Sequence, residues 1–272
     1  MDSPGGKCYN ARGESLKDVS AGGGYGVYRE EFCQYSPALD REMRVMVYGH
    51  AGVPILGFPT QNSKCHNYED FGMVHELSGD LESGRIRLFV PDSVDEESWS
   101  AEGADPAWRA ARQEQYYHYI ADELIPWMRT WTPEPPIVMG LSMGANHAAI
   151  LFLRRPDLFR GVMALSGVYD SDYFFHGWMN PVLYENSPER FLPSMPLDHP
   201  YIQLYNERKM VFCVGQGAWE EDGVRTLGFL KQVFDGKGIR AWCDFWGGDV
   251  NHDWPWWFRQ TRYFLPWLLD EN

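Results

Sequence analysis

One short stretch near the middle of the chain constrains the fold more than any other. An apolar strand is predicted to run into Gly140-Leu141-Ser142-Met143-Gly144, and an apolar helix is predicted over residues 146–154. This is the G-x-S-x-G spacing of a nucleophile elbow, which holds a serine on a sharp turn between a strand and a helix. The glycines allow neighbouring backbone to approach, and the hydroxyl of Ser142 lies beside unpaired N–H groups at the helix start. Ser142 is therefore a candidate nucleophile, and an ordinary glycine-containing turn is the alternative.

Strand and helix patterns alternate along most of the chain, which is typical of a parallel sheet covered on both faces. An antiparallel hairpin begins the series and the elbow follows in mid-chain, an order that fits the α/β-hydrolase fold. The sequence therefore predicts the α/β class, with a mostly parallel central sheet and helices on both faces. Predicted strands cover residues 25–35, 42–48, 53–58, 85–90, 137–139, 162–165, 210–214 and 239–245, and predicted helices cover residues 67–77, 106–131, 146–154, 224–234 and 256–269.

The length of 272 residues suits one large α/β domain or two small ones, and the continuous alternation favours one domain over residues 25–272. Residues 1–24 are polar and glycine-rich, and we interpret them as a loose leader. Residues 166–206 are irregular and rich in proline and aromatic residues. Because this stretch is too long for a simple connection, it is predicted to be a cap or lid over the site.

Charge and cysteine usage limit the partners and the compartment. The chain carries 24 basic and 38 acidic residues, a formal net charge of −14, and an acidic surface disfavours nucleic acid as a partner. Its five cysteines are scattered, odd in number and without a C-x-x-C pair, which favours a reducing compartment. No targeting segment and no apolar run of membrane-spanning length is found in the sequence. A cytoplasmic location without a membrane partner is expected.

A serine nucleophile needs a base, and eight histidines compete for that role. In the predicted fold the order along the chain is nucleophile, acid and histidine. Only His252 lies between the last predicted strand and the final helix, in the turn Gly247–Pro255. His252 is therefore the candidate general base, and a surface or helix-capping histidine is the alternative.

The acid is expected in the loop after the strand at residues 210–214. That loop contains Glu220, Glu221 and Asp222, and its carboxylate would hold the imidazole in one tautomer and stabilise the imidazolium. Glu220 is preferred because it comes first after the strand. Asp222 stays open as the second candidate, since acidic residues also suit the first turn of a helix.

An oxyanion hole requires two N–H donors. The backbone of Met143, directly after the nucleophile, is the first candidate. The second should come from the loop after Phe58, where Pro59 cannot donate. Thr60 and Gln61 are the candidates in that loop, and Gln61 is preferred.

Four stretches together resemble the esterase D-like esterases, whose α/β-hydrolase superfamily includes feruloyl and acetyl xylan esterases, S-formylglutathione hydrolases and mycolyltransferases. The resemblance covers nearly the whole chain after about residue 25. It implies the serine and histidine named above and neither a metal nor an organic cofactor. Many relatives carry aspartate where Glu220 stands, and the S-G-L-T-C loop typical of S-formylglutathione hydrolases is missing, so the resemblance does not name a substrate. The stretches are Gly140–Gly144, Phe58–Gln61, Gly215–Glu220 and Asn251–Pro255.

Aromatic residues cluster in segments predicted to lie near the strand ends. Trp219, Trp254 and Trp178 are candidates for an apolar substrate pocket, although core and lid packing is the commoner role of such residues. Cys65 and His66 form no metal site by spacing, because no second pair lies at ligand distance along the chain.

The sequence predicts a serine ester hydrolase that acts on small acyl or aryl esters through an acyl-enzyme. An acyltransferase with the same triad is one alternative, and a non-catalytic binding protein of the same fold is another. The expected partner is a small-molecule ester, and a homo-oligomer is possible.

Overall fold

The computed structural model describes residues 7–8 and 26–270, and nine strands within them form a single sheet. The leader predicted over residues 1–24 lies outside the described residues, apart from the short strand Lys7–Cys8. The strands are β1 (Lys7–Cys8), β2 (Arg29–Ser36), β3 (Arg41–Tyr48), β4 (Val53–Phe58), β5 (Ile86–Pro91), β6 (Ile137–Leu141), β7 (Gly161–Leu165), β8 (Lys209–Val214) and β9 (Trp242–Phe245).

Helices fill most of the connections between these strands. A 3₁₀ turn at Asp95–Glu97 and a π-helical turn at Tyr119–Leu124 accompany them. The helices are α1 (Asn67–Asp70), α2 (Met73–Glu76), α3 (Ser78–Glu82), α4 (Pro106–His118), α5 (Ile125–Met128), α6 (Met143–Arg154), α7 (Ser171–Phe175), α8 (Pro181–Glu185), α9 (Pro188–Ser194), α10 (Pro200–Asn206), α11 (Glu221–Lys237) and α12 (Trp254–Leu268).

The strand order is β1-β2-β3-β5-β4-β6-β7-β8-β9. Strand β3 pairs antiparallel with both β2 and β5, whereas the pairs from β5 through β4 to β9 are parallel. The predicted hairpin and the mostly parallel α/β-hydrolase sheet are both confirmed. Because parallel strands end at one edge of a sheet, the loops after β4, β6, β7, β8 and β9 meet there.

Two apolar layers sandwich the sheet, because successive side chains of a strand point to opposite faces. In β6, Val138 packs in the layer formed with α4, α6 and α11, while Ile137 and Met139 pack in the layer formed with α1–α3 and α12. Every residue of β6 is buried, as expected for a strand covered on both faces.

Two predicted helices are interrupted in the structure. The helix predicted over residues 67–77 is wrong in its continuity, because Gly72 adopts a φ of 92° and separates α1 from α2. The stretch 106–131 begins as predicted, with the side chain of Asp105 accepting a hydrogen bond from Trp108 N. It then widens into the π-helical turn just before Pro126, which has no N–H to donate within the helix.

Four short helices, α7 to α10, occupy most of residues 166–206. Three of them begin with proline, which suits the first helical position because its missing N–H would have no partner there. Helix α8 packs against α4, and α9 packs against α6 and α11. The assignment of this segment as a lid stays a prediction.

Within residues 26–270, no helix combines the length and the apolar character needed to cross a bilayer. The cytoplasmic location, the exclusion of nucleic acid and the homo-oligomer stay predictions. Cys33, Cys213 and Cys243 lie in strands β2, β8 and β9. Burial raises the pKa of the Cys243 thiol to about 12, so this thiol is a poor nucleophile.

Glu69 ties helix α1 to the antiparallel strands. Its carboxylate accepts from Arg29 Nε at 2.8 Å and from the hydroxyl of Tyr48 at 3.0 Å. Burial alone would raise the pKa of Glu69, but hydrogen bonds from His66 and Arg29 outweigh it and lower that pKa from 4.5 to about 2. The charged form of Glu69 therefore stabilises the folded chain.

We expect Glu69→Gln to lower the free energy of unfolding by about 1 kcal/mol near neutral pH, since the carboxylate is only partly buried. A carboxylate whose pKa falls on folding contributes stability above its ordinary pKa and loses it as the pH falls toward the folded value. The difference between the variant and the wild type should therefore disappear between about pH 5 and pH 2. Urea unfolding across this range measures it, with Glu82→Gln, an exposed position of α3, as the control. A difference that persists at the acid end would contradict the assignment.

Candidate active site

Ser142 lies at the turn between β6 and α6 in a conformation that serine seldom adopts, with φ 55° and ψ −123°. Its backbone N–H donates to the carbonyl of Leu165 at 2.9 Å, which fixes the turn to the end of β7. A Cβ at Gly140 would lie 1.9 Å from the carbonyl oxygen of Gly144, and a Cβ at Gly144 would lie 2.3 Å from the carbonyl oxygen of Phe58. Both glycines of the motif are therefore required by close backbone contacts.

His252 lies in the loop between β9 and α12 and reaches the elbow. Its Nε2 is 2.8 Å from Ser142 Oγ, a hydrogen-bond distance. The backbone N–H of His252 donates to Ala218 O at 3.0 Å, which fixes the histidine loop to the loop after β8. The histidine predicted from its position in the chain order is thus the one that contacts Ser142.

Glu220 lies on the other side of the imidazole. Its Oε2 is 3.3 Å from His252 Nδ1, and its side chain is only 1% exposed. Asp222, the second candidate, is about half exposed and pairs with Arg225 at 3.0 Å. Of the two acids considered from the sequence, Glu220 is the one that contacts the histidine.

The acid loop and the histidine loop are held together by backbone contacts. Gly217 N donates to Val250 O at 2.8 Å, and Ala218 N donates to the side chain of Asn251 at 2.9 Å. A Cβ at Gly215 would lie 2.1 Å from the carbonyl oxygen of Val250, so the loops approach more closely than a larger residue there would allow. This packing fixes the relative position of Glu220 and His252.

Sequence reasoning missed two residues that contact this group. Ser166, directly after β7, donates its hydroxyl to Glu220 Oε1 at 2.6 Å, and Trp257 Nε1 donates to Ser166 Oγ at 3.0 Å. The ring of Trp257 also packs edge-to-face against His252, with centroids 5.0 Å apart. The position of Ser166 at the end of the strand next to β6 was a signal that could have identified it.

The two candidate oxyanion donors lie on segments that touch. Met143 is the first residue of α6, and its N–H has no acceptor among the residues that the structure describes. Thr60 N is engaged by the side chain of Asn67 at 3.0 Å, whereas Gln61 N has no acceptor within residues 26–270. A Cβ at Gly144 would lie 2.5 Å from the carbonyl oxygen of Pro59, which shows how closely this loop approaches α6. The amide of Gln61, rather than that of Thr60, is therefore available for a ligand.

The three tryptophans proposed for a substrate pocket have different surroundings. Trp219 is 84% exposed and precedes Glu220 directly. Trp254 stacks on Phe71 with ring centroids 4.9 Å apart, and Trp178 is half-buried and stacks on Phe175 at 6.1 Å. The contacts of Trp254 and Trp178 are packing contacts, and a substrate role for any of the three stays a prediction.

Among the described residues, no cluster of three or more histidine, cysteine, aspartate or glutamate side chains has the arrangement of a metal site. A serine hydroxyl hydrogen-bonded to an imidazole, itself next to a buried carboxylate, can attack a carbonyl carbon.

Comparisons with known proteins bear on the fold and on the family of the chain. No curated protein matches the chain. Among solved structures, a ferulic acid esterase has a TM-score of 0.70 at 17% identity, with 90% of this chain and 99% of that chain covered. An S-formylglutathione hydrolase from Agrobacterium tumefaciens has a TM-score of 0.71 at 15% identity, with 93% and 98% covered. A fluorophosphonate-binding serine hydrolase of Staphylococcus aureus has a TM-score of 0.61 at 14% identity, with 90% and 99% covered.

These likenesses establish the fold, and a family model establishes the family. The model described as "Esterase: Putative esterase" matches residues 36–260, which include the elbow, the acid loop and the histidine. The chain therefore belongs to this esterase family and is a serine esterase of the α/β-hydrolase fold.

Proposed function

We propose that the chain hydrolyses small acyl or aryl esters with Ser142 as nucleophile, His252 as general base and Glu220 as the acid of the triad. One observation carries this proposal: a continuous chain of contacts runs from Ser142 Oγ to His252 Nε2 at 2.8 Å and from His252 Nδ1 to Glu220 Oε2 at 3.3 Å. In this order the imidazole lies between the hydroxyl, whose proton it can accept, and the carboxylate, which can stabilise the imidazolium.

In the first half of the reaction, Ser142 Oγ attacks the ester carbonyl carbon while its proton moves to His252 Nε2. The carbonyl oxygen becomes an oxyanion, which the N–H groups of Met143 and Gln61 stabilise. The intermediate then collapses: the bond to the alcohol oxygen breaks, and His252 returns its proton to that oxygen. The products are the free alcohol and an ester of Ser142.

In the second half, water replaces the alcohol. His252 takes a proton from the water, whose oxygen attacks the carbonyl carbon of the acyl-enzyme. The second tetrahedral intermediate releases the carboxylic acid, and His252 returns the proton to Ser142 Oγ. An acyltransferase would differ only in this half, because another acceptor would take the place of water.

Glu220 acts through the imidazole. Its buried carboxylate holds the tautomer that carries a proton on Nδ1 and stabilises the imidazolium formed during each half-reaction. The hydroxyl of Ser166 and the indole of Trp257 form a hydrogen-bonded line that holds the other carboxylate oxygen. Fixing both oxygens keeps the charge aligned with Nδ1.

The substrate class follows from what the site offers. Trp219 is an exposed apolar surface next to the acid, and we assign it to contact the acyl or alcohol group of the ester. The similar structures named as a ferulic acid esterase and an S-formylglutathione hydrolase support an ester or thioester carbonyl as the reacting group. A panel of acetyl, longer acyl, feruloyl and thioester substrates would determine which is used.

We expect Ser142→Ala to lower the turnover of p-nitrophenyl acetate by at least about 10³-fold, because no other hydroxyl occupies the nucleophile position. The melting temperature should change by no more than a few degrees, because the substitution removes a single oxygen atom from a half-buried side chain. A fluorophosphonate probe should label the wild type and not the variant. Full turnover by the variant would refute the nucleophile, and an unlabelled, inactive wild type would favour a binding protein.

Glu220→Gln should lower kcat by about 10²- to 10⁴-fold, because the neutral amide cannot stabilise the imidazolium. Asp222→Asn is the matched control, since Asp222 contacts Arg225 on the surface, and its kcat should stay within about twofold of wild type. Steady-state kinetics of both variants measure the contrast. The opposite ranking would assign the acid role to Asp222.

Ser166→Gly removes the hydroxyl that donates to Glu220 while preserving the φ of 57° at this position, which glycine adopts readily. Leaving a buried carboxylate oxygen without its donor costs about 1–3 kcal/mol, so kcat should fall by about 5- to 160-fold. Ser166→Ala removes the same hydroxyl but keeps a Cβ at the positive φ, so it should match the kinetic loss and melt at a lower temperature than Ser166→Gly. Wild-type kcat in the glycine variant would assign Ser166 to the backbone turn alone.

A further inference from the structure

A second histidine–carboxylate pair lies beside the proposed triad, and the reaction described above does not use it. His147 Nε2 is 2.7 Å from Asp95 Oδ1, and the two side chains are 1% and 0% exposed. Buried ionisable pairs cost desolvation energy and are a weak source of stability. A contribution to stability therefore does not explain this pair, and its contacts with the neighbouring segments are the better guide to its role.

Asp95 also holds the loop that carries the second oxyanion donor. Its other oxygen, Oδ2, accepts a hydrogen bond from Asn62 N at 3.0 Å, directly after Gln61. Asn62 has a φ of 58°, a left-handed conformation that asparagine tolerates better than most residues but that still needs support. The hydrogen bond to Asp95 supplies that support at the residue directly after Gln61.

His147 belongs to the other half of the site. It lies on α6, about one helical turn after that helix begins at Met143. The imidazole packs against the ring of Phe58 at 5.6 Å and that of Tyr116 at 5.1 Å. Its Nδ1 is buried and has no hydrogen-bond partner among the described residues. A proton on Nδ1 would be a buried donor without an acceptor, which favours the tautomer that donates from Nε2 to Asp95.

One carboxylate thus joins the two segments that carry the oxyanion donors. The hydrogen bond from Asn62 reaches the Gln61 side, and the hydrogen bond from His147 reaches the Met143 side. Asp95 itself begins the 3₁₀ turn Asp95–Glu97, and the carbonyl of Asp95 accepts a hydrogen bond from Ser100 N at 2.8 Å. The hydroxyl oxygen of Ser100 in turn accepts from the side chain of Gln61 at 2.8 Å. The loop after β4 therefore rests on this turn, and the turn is tied to the elbow helix through Asp95.

We propose that Asp95 and His147 are positioning residues that set the separation of the Met143 and Gln61 amides, and so the fit of the oxyanion hole to the transition state. This inference rests on the proposed function, because it assigns those two amides to the oxyanion. Preorganised donors act only when they are held where the oxyanion forms, and a displacement of an ångström forfeits much of their effect. The pair should therefore affect the transition state more than the bound substrate.

The test uses Asp95→Asn, His147→Phe and His147→Gln in the full chain. The asparagine keeps the size of Asp95 but replaces one acceptor oxygen by an amide. The phenylalanine keeps the packing of the ring against Phe58 and removes the donor. The glutamine brings an amide N–H to roughly the place of Nε2. Glu96→Gln is the control, because Glu96 is adjacent in sequence and 61% exposed.

We expect Asp95→Asn and His147→Phe to lower kcat by about 10- to 100-fold with KM within about threefold, and His147→Gln to recover most of the loss. The inhibition constant of an arylboronic acid, which forms a tetrahedral anion on serine, should rise by about the same factor as kcat/KM falls. The enzyme concentration used to calculate kcat is taken from active-site titration, so that unfolded protein in a variant does not lower its apparent kcat. Glu96→Gln should behave as wild type.

The inference is overturned if His147→Phe and His147→Gln are equally active, or if boronate affinity is unchanged in the variants of Asp95 and His147. If Asp95→Asn does not fold, the comparison of His147→Phe with His147→Gln tests the inference. Failure of the proposed function gives a different pattern: the wild type is inactive on all esters, or Ser142→Ala keeps turnover. An active wild type with insensitive Asp95 and His147 variants contradicts the positioning role alone.

Discussion

The strained backbone of Ser142 is the constraint on which the rest of the structure depends. Holding a non-glycine residue at a φ of 55° costs about 1–3 kcal/mol, which must be offset by the packing around it. That packing is provided by the hydrogen bond to Leu165 and by the close approach of Gly144 to Phe58. These contacts join the ends of β4, β6 and β7. The turn at Ser142 therefore depends on these parallel strands lying side by side.

The same edge of the sheet explains why distant side chains meet. Glu220 follows β8, and His252 follows β9, the two strands beyond β7. The apolar layers on both faces bury every residue of β6 and leave the strand ends as the place where polar side chains can gather. A carboxylate buried there requires donors, which are His252 and the line formed by Ser166 and Trp257.

Two carboxylate–imidazole pairs therefore lie around one serine, and they differ in what they contact. His252 contacts the hydroxyl of Ser142 and Glu220 contacts His252. Asp95 instead accepts hydrogen bonds from the backbone of Asn62 and from the side chain of His147 on α6. In the mechanism proposed above, His252, supported by Glu220, transfers a proton. Asp95 and His147 position the N–H donors of the oxyanion hole. Both depend on burial, because a low local dielectric strengthens a satisfied hydrogen bond and penalises an unsatisfied one.

The sequence by itself determined the features that depend on local spacing and periodicity. These are the elbow at Ser142, the alternation that gives a mostly parallel sheet, and the order in which His252 follows the last strand. It left open which acid faces the imidazole, because Glu220 and Asp222 are only two residues apart. The structure places Glu220 directly before α11, against the imidazole, and Asp222 in the first turn of α11, beside Arg225. It could not identify the contact between Asp95 and His147, 52 positions apart, or that between Ser166 and Trp257, 91 positions apart. Only the tertiary structure decided these, because pairing between strands and packing of helices on the sheet, rather than proximity along the chain, bring such residues within hydrogen-bond distance.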